Sequence, residues 1–329
     1  MKRFHKFAIC TFHVLLLFAL FDRTVYGEKL SVKEFCKSSD QKSLIDLSPL
    51  LYEIDKKSQE TRILANGLTV NIDLRPDYYS ALFENCIKRK KAELLTNDEK
   101  ESAAQLSALM KRINFYSPSL ESLNFQLDLE VANRQRILSS GLALSDAQKI
   151  NIEYLFEAFV QKRLFEKAED LRIQFPEIQF PKLPTLNIRS DMTVQLLQVN
   201  DSASELNAIN FDWHEIDIIV VGSPLCSPSR RFSAWLLENT EYLDFFKKHS
   251  TWILPATGRL WLEEVLNANK QYPIPYYLVN QPEDWPSISS WSTPTLYFFK
   301  QKELVGQLVG WPQEGQQQKL ETMISLLKK

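Results

Sequence analysis

With 329 residues, 44% hydrophobic and 24% charged, the chain is long enough for two domains that each bury a core. A net charge of −2 offers no electrostatic footprint for nucleic acid. Eight glycines are too few for a large all-β architecture built on tight turns.

The chain opens on Met1-Lys2-Arg3-Phe4-His5-Lys6, followed by an apolar run over 7–21 and by Gly27. A basic head, a short apolar run and a small residue read as a secretory signal over 1–27, with the mature chain starting at Glu28. The alternative is an uncleaved membrane anchor, although the run is short for a span of about 20 residues. Cys10 lies inside the run, so lipoprotein cleavage is not expected. No membrane span is expected once the signal is removed, and the expected location is periplasmic or secreted. Signal removal leaves Cys36, Cys86 and Cys226, an odd number for an oxidising compartment. A Cys36–Cys86 bridge would leave Cys226 unpaired; the alternative is three independent buried thiols.

Residues 28–176 carry helical signals and are expected to form an all-α domain. Thr96-Asn97-Asp98-Glu99 and Ser145-Asp146-Ala147-Gln148 fit capping boxes. Ser117-Pro118 reads as an N-cap with proline at the first helical position, and Gly141 as a helix stop. Leu106, Leu109, Met110 and Ile113 form one apolar stripe, and Ile152, Leu155, Phe159 and Val160 another. A turn at Asn66-Gly67 leads into a stretch, 68–72, that could form a short strand. The basic run 88–91 is expected to be a solvated helix end rather than a binding patch. Three prolines within 176–184 then suggest an extended connector, placed at 177–190.

Residues 191–329 alternate between strand and helix. The apolar stretches 192–199, 217–222, 250–254 and 275–279 read as strands, with 200–212 as a connection. Helices are expected over 229–247 and 258–269, a hairpin over 295–309 and a closing helix through Leu320, Met323, Ile324 and Leu327. Cys226 falls between a buried strand and a helix start. Free N–H groups and the positive end of the helix dipole favour a thiolate at such a position. Arg230 and Arg231 add positive charge if they turn back toward the sulfur.

This order resembles the thioredoxin fold over 191–329. Cys226-Ser227-Pro228-Ser229 stands where that superfamily carries Cys-x-x-Cys, and Ser292-Thr293-Pro294-Thr295 looks like its cis-proline loop. The threonine before the proline is similar to periplasmic disulfide isomerases and their relatives. The resemblance implies an α/β domain with a mixed sheet flanked by helices, a cis bond at Pro294, and Cys226, Ser229, Thr293 and Pro294 gathered at one catalytic site. Departures are the resolving cysteine, replaced by Ser229, and the usual buried acid, replaced by Val220. A serine cannot resolve a mixed disulfide.

The expected function is therefore an exported protein with one active cysteine. It would form mixed disulfides with client proteins, as an isomerase or trapping factor does. The alternative is a redox-inert interaction or assembly module of the cell envelope, contacting partners through the helical domain or the groove beside Trp291 and Pro294. No cofactor or metal is expected, since His214 and His249 lack ligand spacing with the scattered cysteines.

Overall fold

A computed structural model describes residues 48–64, 67–88, 100–188, 194–256 and 260–328, together with Val32 and Cys36. The expected signal segment 1–27 and the capping box at Thr96 lie outside the described residues.

The N-terminal half runs α1 (Ser48–Lys56), β1 (Gln59–Ile63), β2 (Thr69–Asp73), α2 (Arg75–Leu82), α3 (Lys100–Tyr116), α4 (Leu120–Ser139), α5 (Asp146–Gln161) and α6 (Phe165–Gln174). The β1–β2 hairpin departs from the all-α expectation. Gly67, at φ +81°, supplies the left-handed conformation its turn requires. β1 is almost wholly exposed, so its sequence carries no alternation to read. Helix α5 starts at Ser145 with Gln148 closing the capping box, as expected. Helix α4 starts at Ser119 rather than Ser117. Ser119 Oγ accepts the Ser122 N–H at 3.0 Å, and Ser122 Oγ accepts the Ser119 N–H at 3.0 Å. A box closed by serine escapes a search for Glu or Gln at its third position.

Two apolar clusters hold this half together. Leu82, Met110, Ile113 and Phe125 surround the disulfide between Cys36 and Cys86, which are 50 positions apart. Leu155, Phe159, Leu171 and Phe175 form the second cluster. A buried polar network also crosses the helices. Ser107 of α3 donates to Oε1 of Glu130 on α4, and Asn151 of α5 donates to Ser107 Oγ at 2.8 Å.

The proline-rich segment is strapped down rather than free. Ile178 is buried, Phe180 stacks on Phe156 with centroids 4.7 Å apart, and β3 (Thr185–Asn187) pairs in parallel with β5 (Glu205–Asn210). β5 itself lies in the stretch read as a connection. Leu206 and Ala208 alternate with Glu205 and Asn207, but Ile209 and Asn210 break the pattern and only Leu206 is fully buried, so the signal is weak.

The remaining elements are β4 (Gln195–Val199), β6 (Ile216–Val221), α7 (Ser227–Glu238), α8 (Thr240–His249), β7 (Ser250–Ile253), α9 (Leu262–Gln271), β8 (Tyr276–Val279), β9 (Thr295–Lys300), β10 (Glu303–Val309) and α10 (Gln317–Lys328). They build an eight-stranded sheet in the order β10-β9-β6-β7-β8-β4-β5-β3. β6 is central and buried on both faces, which is why it reads as an unbroken β-branched run. β6 and β7 are parallel, while β9 runs antiparallel to both β6 and β10. Strand, helix, parallel strand, hairpin and closing helix thus occur in the order read from the sequence. The expected helix over 229–247 is two helices broken at Asn239, whose Nδ2 donates to the Trp235 carbonyl at 2.7 Å. Gly306 sits where a Cβ would meet Met323 Sδ at 2.6 Å, so the sheet and α10 approach closely there.

The two halves touch at several points. Asn71 of the hairpin donates its N–H to Gln307 Oε1 of β10 at 2.8 Å, and Asp73 donates to the Ser289 carbonyl at 3.3 Å. Arg163, at φ +59°, donates to the carbonyls of Val160 and Gln161 at the end of α5 and to that of Val279 in β8. Burial lowers its guanidinium to about 10. No helix among the described residues is long and apolar enough to cross a membrane.

Candidate functional site

The site is built where β6 leaves the sheet. Gly222 donates its N–H to the Ile253 carbonyl at 2.9 Å, extending the β6–β7 ladder by one step. A Cβ at Gly222 would lie 3.2 Å from Cε1 of Tyr276, so any larger residue would need the buried tyrosine ring to shift by a few tenths of an ångström. The chain then turns tightly. Leu225 donates to Ser223 Oγ at 3.3 Å, and the Cys226 N–H donates to the Ser223 carbonyl at 3.1 Å. Cys226 becomes the N-cap of α7, with Pro228 inside the first turn, where its missing N–H breaks no bond.

Cys226 is half-buried and is the free cysteine among the described residues. Its Sγ donates to the Thr293 carbonyl at 3.3 Å. The Thr293–Pro294 peptide is cis, as the resemblance implies. The loop before β9 therefore lies against the sulfur, and Cys226 shares one place with Thr293, 67 positions away in sequence, and with Pro294. Behind them the first turns of α7 rest on an aromatic bed. Phe232 lies 4.8 Å from Trp311 and 5.6 Å from Trp252, centroid to centroid. Burial raises the Tyr276 hydroxyl well above its ordinary range, and charge on Cys226 pushes the same way.

Neither a protein-family model nor a curated protein matches the sequence. Among solved structures, a thioredoxin-like protein from Bacteroides caccae ATCC 43185 is similar at 9% identity, over 92% of this chain and 96% of that chain, with a TM-score of 0.29. The fold reading rests on the strand order and on the place of Cys226 in it.

The surroundings of Ser229 and of the two arginines add what the sequence does not show. Ser229 is 1% exposed, and its Oγ accepts the Ser223 N–H at 3.3 Å, so the hydroxyl holds the loop from beneath. The Arg231 guanidinium donates to the Trp311 carbonyl through Nη2 at 2.9 Å and Nε at 3.3 Å. Arg230 is exposed and donates to Ser227 Oγ at 3.3 Å. The hydrogen bonds of both arginines thus go to oxygen acceptors rather than to the sulfur. A carbonyl left open after β10 captures Arg231, and sequence spacing cannot reveal that carbonyl.

The two histidines of the C-terminal half are excluded as partners of the thiol. The His214 N–H donates to Oδ2 of buried Asp217 at 2.7 Å, and its Nδ1 lies 3.1 Å from Oδ1. Both residues sit where β6 begins, whereas Cys226 follows its end. His249 ends α8, ahead of β7, which runs parallel to β6. Among the described residues no group of three His, Cys, Asp or Glu could hold a metal ion. Sequence reading missed Tyr276 and Asp217. The first looked like an ordinary strand aromatic, and only the scarcity of acids inside apolar runs could have flagged the second.

Proposed function

We propose that Cys226 is a lone nucleophilic thiol that forms mixed disulfides with client proteins. Its half-exposed position at the N-terminus of α7, beside the cis-proline loop, is the observation that carries this reading. The helix dipole stabilises an anion placed there. In the reaction the Cys226 thiolate attacks one sulfur of a client disulfide. A Cys226–S bond forms, the client S–S bond breaks, and the second client sulfur leaves as a thiolate. No net oxidation occurs. Release follows when that thiolate, or another client thiol, attacks the mixed disulfide and returns Cys226 to its starting state. Ser229 takes no part, since its hydroxyl is buried and bonded to the loop. Export to an oxidising compartment and the pairing of Cys36 with Cys86 complete the proposal, because both leave Cys226 as the available thiol.

The test uses native protein and oxidised glutathione. Wild type should gain one glutathionyl group in native buffer, reversed by dithiothreitol, and Cys226→Ala should gain none. Ser229→Cys should convert the trapped adduct to an internal disulfide between Cys226 and the introduced thiol, releasing glutathione. If no adduct forms until denaturant is added, the thiol reading fails. A second reading, a redox-inert interaction module, is favoured by the thiol's hydrogen bond to Thr293 and by the commitment of Arg231 to Trp311. It predicts that partners captured from an extract stay bound to Cys226→Ala without any disulfide.

A further inference from the structure

Away from Cys226, a groove of about 860 Å³ lies where the proline-rich segment, α5 and the start of α9 meet. Such a volume falls within the range of ligand sites. Phe180, Pro181 and Trp261 supply apolar surface. Phe180 is itself fixed by stacking on Phe156, so that part of the lining is rigid. Trp261 is held at φ +46° and ψ +46°, a left-handed conformation that bulky residues rarely adopt. Even so, the residue stays 41% exposed. The rim is strongly one-signed. Among the described residues, Glu153, Glu157, Glu263 and Glu264 line it against a single cation, Lys182. Glu153, Glu263 and Glu264 have no ion-pair partner among the described residues, although the whole chain is only two charges from neutrality.

We propose that this groove docks a basic, extended peptide segment of a partner protein. Apolar side chains of the segment would lie on Phe180, Pro181 and Trp261, while its lysines or arginines face Glu153, Glu263 and Glu264. Charge complementarity selects the occupant: an acidic or neutral segment would leave this cluster of carboxylates uncompensated. An extended segment suits a groove bordered by Pro181 and Pro184, and the stem of a lysine or arginine can cover apolar surface while its head reaches a carboxylate. The site is independent of the thiol chemistry, so Cys226→Ala serves as the background for testing it.

The probe is a fluorescein-labelled peptide, Lys-Leu-Pro-Lys-Leu-Pro-Lys, titrated with protein and read by polarisation. Its control carries glutamate at each lysine. The lysine peptide should bind, weakening as salt rises, and the control should not. Glu263→Gln combined with Glu264→Gln should weaken binding at least tenfold. Trp261→Gly should do the same while keeping the backbone, because glycine adopts positive φ freely; an unchanged melting curve verifies that each variant folds. Equal binding of the two peptides, unchanged binding by either folded variant, or no binding of the lysine peptide at the highest soluble protein concentration would overturn the proposal.

Discussion

Glu130 should make the stability of this protein depend on pH in a direction opposite to that of a paired carboxylate. It is 1% exposed among α3, α4 and α5, and its surroundings are neutral: Ser107 donates to it, and the side-chain amides of Asn133 and Gln126 stand near it. Burial without a cation pushes its carboxyl up to about 7, from an ordinary 4.5. Below pH 4.5 the group is protonated in both folded and unfolded chains, so the native state bears no penalty. As pH rises toward 7 the unfolded chain ionises while the folded one keeps its proton, and stability falls. Above 7 both forms are charged and the loss levels off. The gap of about 2.5 units corresponds to roughly 3 kcal/mol at 1.36 kcal/mol per unit. Urea unfolding from pH 4 to 8, on wild type and Glu130→Gln in parallel, isolates this one group because all other titrations are shared. Wild type should lose roughly 3 kcal/mol relative to the glutamine variant between pH 4.5 and 7. Identical pH profiles for the two proteins would refute the reasoning.

Replacing Cys36 and Cys86 together by alanine should lower stability by about 4 kcal/mol, from the loop-closure entropy of a 50-residue separation; urea midpoints under non-reducing conditions give the value. Phe232→Ala should cost about 3–5 kcal/mol, because the ring is fully buried among Trp235, Phe246, Trp252 and Trp311. The same unfolding experiment checks it, and a loss below about 1 kcal/mol would mean the aromatic bed is loosely packed. Arg163→Met should cost roughly 1–3 kcal/mol, since it removes the donors of three carbonyls. It should also separate the unfolding of the two halves, seen as a second transition in calorimetry.

Elements with strong local chemistry were legible in the sequence. β6 reads as a buried strand because both of its faces are covered, and the β9–β10 hairpin reads from its polar turn. Cys226 and Pro294 could be placed together because the resemblance supplies a long-range contact that periodicity does not. What escaped depends on distant backbone groups. Arg231 is drawn to a carbonyl 80 positions away, and the break at Asn239 depends on a side chain bonding back to Trp235 rather than on any proline or glycine. β1 and β3 escaped for another reason. Both are short strands, exposed apart from half-buried residues such as Leu186, so burial imposes too little pattern on them to read.

The hairpin at the N-terminal half also bears on self-association. β10 is the last strand of the eight-stranded sheet, and a sheet margin offers open N–H and C=O groups on which another chain can add. β2 lies over that margin. Gln307 and Ser289 both donate to the Asn71 carbonyl, at 3.4 and 3.2 Å, while the Asn71 N–H is held by Gln307. A small ribbon that contributes little to either core thereby stands over one margin of the large sheet, where a strand added from another chain would have to displace it.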